Sequence, residues 1–487
     1  MNNQDEQWSI IRQTFQKIWG YEDFRSPQGE IIQCLLNAQD AIIVIPTGAG
    51  KSLCFQLPAL LKQGLTLVIS PLVALMENQV YELKQKQLPA DLLHNEIPKN
   101  QRKKTLDSVK KQQLRLLYLS PETLLSPPVW EILISPELKI NGLILDEAHC
   151  LVEWGETFRP AYRRLGAVRQ TLLLNKPPDT KIAIAAFTAT ADPRSQGIIQ
   201  RVLQLENPQK FCLSPYRANL NLKVKIAWTP RCRNHQLLNF IQTHQKQSGL
   251  IYIRSRRESE SLSQWLASLN YKTAAYHAGL SPQERREIEQ KWLEENLQFV
   301  VCTSAFGLGI NKPNVRWVAH FQAPFLLSEY LQEIGRGGRD GKKTDNLTLI
   351  SEPTGWLDPT DQQRQQYFLK QLDKKYQQAK NYVKKIPQEG NIQAIAQEMP
   401  QGEIILSLLH SWGQLQWLDP FNYRLKSSSV SVNLAKIKET SQQTSKQMQQ
   451  YLITRQCRWQ YLLNAFGFQQ EARGFKCGHC DNCHRQC

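Results

Sequence analysis

The chain has 487 residues and a formal net charge of +17 at pH 7, from 60 Lys and Arg against 43 Asp and Glu. That length exceeds a single core and predicts two to four domains, while a hydrophobic fraction of 41% excludes a disordered chain. No apolar run is long enough to span a bilayer and the start MNNQDEQW carries no signal pattern, so a cytoplasmic protein with a polyanionic partner is expected.

In chain order, Tyr21, Arg25 and Gln28 come first, ahead of a helical pattern at Ile31, Ile32, Leu35 and Leu36. An aromatic and a guanidinium can sandwich a purine, and an amide can pair with the adenine edge. The next stretch, AIIVIPTGAGKS (41–52), reads as a buried strand, a glycine-bearing turn and the start of a helix. Such a loop presents backbone N–H groups to phosphate oxygens. Thr47, Gly48 and Gly50 shape it, Lys51 would reach the β- and γ-phosphates, and Ser52 would hold Mg²⁺. Ile45 stands where the full G-x-x-x-x-G-K-[ST] pattern has Gly.

Further apolar runs follow at LTLVIS, LRLLYLS, GLILDEAH and KIAIAAFTAT. Asp146 and Glu147 close the fourth, with His149 two residues on. A carboxylate there can hold Mg²⁺ partly through water, and a second can position the attacking water. Thr188 and Thr190 end the fifth run and offer hydroxyls for a relay. Strands alternating with helical segments predict a parallel sheet wrapped by helices, with ligands at the carboxyl ends of the strands.

By this point the chain resembles the superfamily 2 helicases, and among them the RecQ family of DNA helicases. The resemblance is carried by FRSPQ (24–28), PTGAGKS (46–52), DEAH (146–149), HCLVEWGETFRP (149–160), AFGLGINKPNVR (305–316) and QEIGRGGRDG (332–341). It covers about residues 10 to 352 and returns at about 451 to 483. It implies two tandem RecA-like lobes, residues 1–215 and 216–352, and a loop at Trp154, Phe158 and Arg159 that couples single-stranded DNA to ATP hydrolysis. A Trp can stack on a base and an Arg can take a phosphate. Glu156 stands where the family often has His. The PTGAGKS core of this superfamily does not require Gly at position 45.

The second lobe reads as another parallel αβ unit without a phosphate loop. Arg336 and Arg339 in GRGGRDG are its candidates for stabilising charge on a transferring phosphoryl group. Gly337 replaces the usual Ala of the family. Thr303, Ser304 and Asn311, with the backbone near Gly307 and Gly309, read as a loop touching the DNA backbone and nucleotide.

Beyond it, residues 353–385 read as a Pro-broken linker and a basic, Gln-rich helix. Residues 386–430 read as two helices and two strands (414–418 and 423–425), resembling a small winged helix. The family places its winged helix after a Cys cluster, and no room for that domain or an HRDC domain is expected beyond Cys487. Of eleven Cys, five crowd into 457–487; the scattered six read as small buried hydrophobes. Within the expected 440–487 hairpin, Cys457, Cys477, Cys480 and Cys483 resemble the family's zinc site. Cys477, Cys480, Cys483 and Cys487 also match an iron–sulfur spacing.

The resulting expectation is an ATP-dependent DNA helicase of recombination and repair, moving 3′→5′ by resemblance. It would use ATP, Mg²⁺ and Zn²⁺ on DNA with single-stranded regions such as 3′-tailed duplexes, forks or junctions. A single-stranded DNA-binding protein is a compatible partner. The rival readings are a DNA-stimulated translocase with weak unwinding, an RNA helicase, and a non-catalytic nucleic-acid scaffold.

Overall fold

The computed structural model describes residues 3–153, 159–307, 310, 312–383, 385–399, 401–426 and 445–484. The chain divides into two compact units, one comprising Met1–Leu213 and Ala379–Val432, the other Ser214–Gln378 and Asn433–Cys487. The expected winged-helix segment therefore falls in the first unit, and the Cys cluster falls in the second.

The first unit is built on seven strands: β1 (Ala41–Val44), β2 (Leu65–Ile69), β3 (Ala90–Leu93), β4 (Leu116–Leu119), β5 (Ile140–Leu145), β6 (Ala183–Thr188) and β7 (Gln209–Cys212). All pair in parallel, in the order β3-β4-β2-β5-β6-β1-β7. Helices cover both faces, so the central strands are continuous apolar runs. Alternate residues enter opposite cores: Ile42 and Val44 join Leu67, Leu145 and Ile184, while Ala41 and Ile43 join Val68, Tyr118 and Ala185. Two strands exceed the five expected. β7 is a largely exposed edge strand with the sequence QKFC, and β3 is a four-residue edge, so neither carries a strong apolar signal.

The same unit holds the segment 386–426. It contains helices Ile392–Glu398 and Gly402–Ser411 and three antiparallel strands, β14 (Glu389–Asn391), β15 (Leu415–Trp417) and β16 (Asn422–Leu425), in the order β14-β16-β15. The two helices and the hairpin agree with expectation; β14 is additional. Phe421 packs edge-on against Trp130 at 5.4 Å, and Arg164 Nη1 donates to Pro420 O at 3.3 Å. The segment thus rests on the 3₁₀ turn Pro160–Arg164, which directly follows the expected DNA-coupling loop.

The second unit has six parallel strands: β8 (Leu220–Ala227), β9 (Gly249–Tyr252), β10 (Thr273–Tyr276), β11 (Phe299–Cys302), β12 (Trp317–His320) and β13 (Thr344–Ser351). Their order is β10-β11-β9-β12-β13-β8. The basic helix forms as Thr360–Val383, of which the residues to Gln378 belong to this unit. Under the helix Leu327–Ile334 lies a buried ionic group. Arg254 makes a two-pronged pair with Glu333 at 2.9 and 2.6 Å, and His320 Nε2 meets the same carboxylate at 2.9 Å. Burial alone would raise the Glu333 carboxyl, yet the Arg254 guanidinium holds it at about 2. Burial pushes His320 down, which suits a neutral ring donating to that carboxylate.

Glu333→Gln would strand the Arg254 cation in the core, at an expected cost of about 3–5 kcal/mol. Because the folded carboxyl titrates low, its stabilisation is full above pH about 4.5 and is lost as pH falls through about 2. Denaturant unfolding of parent and variant at neutral pH checks this; equal stabilities would contradict it.

Candidate functional site

The loop after β1 is fixed from several sides. Ile45 N donates to Thr188 O at 3.0 Å, extending the β1–β6 ladder by one bond. Gly48 and Gly50 take positive φ, +86° and +78°. A Cβ on Gly50 would lie 2.4 Å from Gln28 Nε2. Only glycine accommodates both the left-handed backbone and that neighbour. Gln28 is buried; its Nε2 donates to Ala49 O at 3.0 Å and its Oε1 accepts from Arg25 N at 3.0 Å. The residue expected at the adenine edge is thus seen to clamp the phosphate loop. Lys51 opens the helix Lys51–Leu61, with Ser52 next, and its Nζ donates back to Ile45 O at 3.2 Å.

The carboxylates stand at the end of β5. Asp146 N donates to Ile69 O, and Ala148 N donates to Phe187 O, so the DEAH segment is stitched to the strands on either side. Burial, then the neighbouring Glu147, pushes the Asp146 carboxyl up to about 6, against the pull of Lys51. Gln79 Nε2 reaches Asp146 Oδ2 at 3.4 Å, a partner that sequence reading missed. Glu147 is held at φ +51°. Its Oε2 lies 3.3 Å from His149 Nδ1, which also lies 3.1 Å from Thr188 Oγ1. Thr190 N donates to that same hydroxyl at 3.2 Å. Glu147, His149 and the TAT segment thus form one connected chain of polar contacts.

Other expected residues fall as follows. Tyr21 is half exposed with its ring 5.8 Å from Phe15, and Arg25 is exposed. Arg159 lies 3.8 Å from Glu122. Trp154, Phe158 and Glu156 lie outside the described residues, as do Gly309, Asn311 and Cys487. In the second unit, Arg336 Nη1 donates to Gly307 O and Arg339 Nη1 to Ile310 O at 3.0 Å, so the arginines hold the backbone at those two residues. A Cβ on Gly337 would lie 2.5 Å from Thr344 Cγ2, which accounts for glycine where the family has alanine.

The Cys457, Cys477, Cys480 and Cys483 sulfurs all lie within 4.8 Å of one another. Tetrahedral zinc with bonds of about 2.3 Å places its sulfurs about 3.8 Å apart. The observed 3.9 Å between Cys477 and Cys483 and 4.0 Å between Cys480 and Cys457 fit that spacing. A multi-iron cluster would spread its thiolates wider, and Cys457 has no place in the iron–sulfur run. Backbone N–H groups of Arg458 and Cys477 point at the Cys480 and Cys457 sulfurs, as thiolate ligands require. The cluster is welded to the edge strand β8: Trp459 Nε1 donates to Leu220 O at 3.1 Å, and Asp481 Oδ2 accepts from Val224 N at 3.0 Å while pairing with Arg458.

Two parallel sheets, one ending in a phosphate loop with a DEAH carboxylate pair, define a helicase-type ATPase. Family models agree: DEAD/DEAH box helicase at residues 25–198, helicase conserved C-terminal domain at 232–341 and RecQ zinc-binding at 423–484. The chain is 51% identical to the ATP-dependent DNA helicase RecQ of Synechocystis over 97% of its own length and 98% of that protein's. It is 40% identical to the Haemophilus influenzae RecQ over 70% of its own length and 53% of that protein's. The fold also matches the Mycobacterium smegmatis helicase Lhr bound to ssDNA and AMP-PNP, with a TM-score of 0.57 at 20% identity, covering 71% of this chain and 48% of that one. The chain belongs to the RecQ family of ATP-dependent DNA helicases.

Metal analysis of purified protein is expected to find a single zinc ion and no visible absorption band, and Cys480→Ser should release the metal and open residues 445–484 to proteolysis. Iron with a visible band would contradict the zinc assignment.

Proposed function

We propose that this chain is an ATP-driven DNA helicase that moves 3′→5′ along one strand and opens tailed or forked duplexes. The observation that carries this reading is the connected polar site at the carboxyl ends of β1, β5 and β6, from Lys51 through Asp146 and Glu147 to His149 and Thr188. Magnesium, held by Ser52 and Asp146, would neutralise charge on the bound phosphates. Lys51 steadies the phosphate negative charge. Glu147 orients the attacking water, and the His149–Thr188 link keeps its carboxylate aimed. Arg336 and Arg339 act on charge that develops during transfer. Tyr21, Arg25 and Gln28 hold the base, and Trp154, Phe158 and Arg159 report the DNA strand to this site.

One observation favours a second reading, a translocase that unwinds weakly. Residues 386–426 carry four acidic and two basic side chains, and a wing facing duplex DNA needs the opposite balance. On this reading the segment supports the first unit without reading duplex.

The reading is tested on 3′-tailed, 5′-tailed and blunt duplexes with ATP. Strand separation from the 3′-tailed substrate alone is expected. Displacement of a strand-bound block without duplex opening favours the translocase, and separation from 5′ tails alone contradicts the polarity.

A further inference from the structure

The turn after β13 is built to hold an aromatic side chain in solvent. Glu352, itself buried, accepts from Thr354 N at 2.7 Å, from Thr354 Oγ1 at 2.5 Å and from Leu357 N at 2.9 Å. Gly355 takes φ +66°, and a Cβ there would lie 2.4 Å from the Gln362 side chain, whose Nε2 donates to Pro353 O at 3.1 Å. Asp358, fully buried, accepts from Thr360 and from Arg233 Nη2 at 3.1 Å; Arg233 also reaches Ser351 Oγ and Phe321 O. So many internal bonds leave this turn little freedom, yet it presents Trp356 at 88% exposure.

A second tryptophan leaves the sheet at the same end. Ala227 of β8 pairs in register with Ser351 of β13, and Trp228, 56% exposed, follows Ala227 directly. The two strands are parallel neighbours, so both tryptophans stand at carboxyl ends, the end from which Arg254 and the 303–310 loop also leave. Scattered exposed hydrophobes are ordinary. Here the charge arrangement adds information. Lys225 and Arg231 are exposed, while Glu352 and Asp358 are buried and Asp361 is paired with Arg233. The acids are turned inward, and the surface shows aromatics among cations, the chemistry that takes a single nucleic-acid strand.

We propose that Trp356 and Trp228 form a base-stacking platform for single-stranded DNA on the second unit, with Lys225 and Arg231 taking backbone phosphates. This rests on the reading above that the chain travels on a single strand, and adds to it a contact with no counterpart in the motifs that carry the family resemblance. Stacking tolerates any base, as a translocating enzyme requires.

The test uses the intact chain and a fluorescently labelled oligothymidylate of about 16 nucleotides, titrated by anisotropy. Trp356→Ala is expected to weaken binding about tenfold and to raise the DNA concentration for half-maximal ATPase by the same factor, with Trp356→Phe keeping most of the affinity. Lys225→Ala should lower the slope of log affinity against log salt by about 1, which the tryptophan variants should not. Melting temperatures check that each variant is folded. If the parent binds and Trp356→Ala binds equally well, the platform is overturned and the helicase reading stands. If the parent itself fails to bind, both fall. A loss of sedimenting mass in Trp356→Ala with unchanged DNA affinity would assign the patch to a contact between copies and overturn the platform.

Discussion

A four-residue strand with no exposed side chain governs the nucleotide site. β1 is paired on both edges and covered on both faces, so its register cannot slip without moving alternate apolar residues into the wrong core. Asp40, just ahead of it, is buried. It pairs with Arg169 and accepts from the backbone of Ile184 and Glu206. With its start fixed, Val44 lies opposite Thr188. That single register brings the phosphate loop, the TAT segment and, through His149, the DEAH carboxylates into one place.

The second unit meets a different physical demand. β8 is an edge strand whose LNLKVKIA sequence alternates apolar with polar and basic residues. An unpaired edge invites association. Here the zinc segment covers it, with Trp459 and Asp481 bonding its backbone. The metal serves a stretch too small to bury a core of its own, and that stretch in turn protects the sheet that carries Arg336 and Arg339. The Arg254–Glu333–His320 group anchors the helix that leads to those arginines from below.

Much of this was legible in the residues. The phosphate loop, the DEAH carboxylates and the Cys set announce themselves because their chemistry demands particular residues at fixed spacing. Buried strands showed as apolar runs; β3, β7, β8 and β14 did not, because these edge strands are short or carry polar residues, and the Asn- and Thr-bearing β13 broke the pattern despite its burial. Spacing left zinc and iron–sulfur both open, and sulfur separations decided between them. The sequence showed Gly337 in place of the family's Ala without a reason; the Thr344 methyl lies where a Cβ would go. The association of residues 386–426 with the first unit rests on contacts such as Arg164 to Pro420, 256 residues apart, which no local pattern encodes.

The central claim is that the site around Lys51 hydrolyses ATP in response to a DNA strand. The most direct measurement is ATP turnover by the intact chain with and without single-stranded DNA, alongside Lys51→Ala. The account predicts a rate raised many-fold by DNA in the parent and abolished in the variant, with DNA binding retained. Turnover indifferent to DNA, or surviving the loss of Lys51, would contradict it.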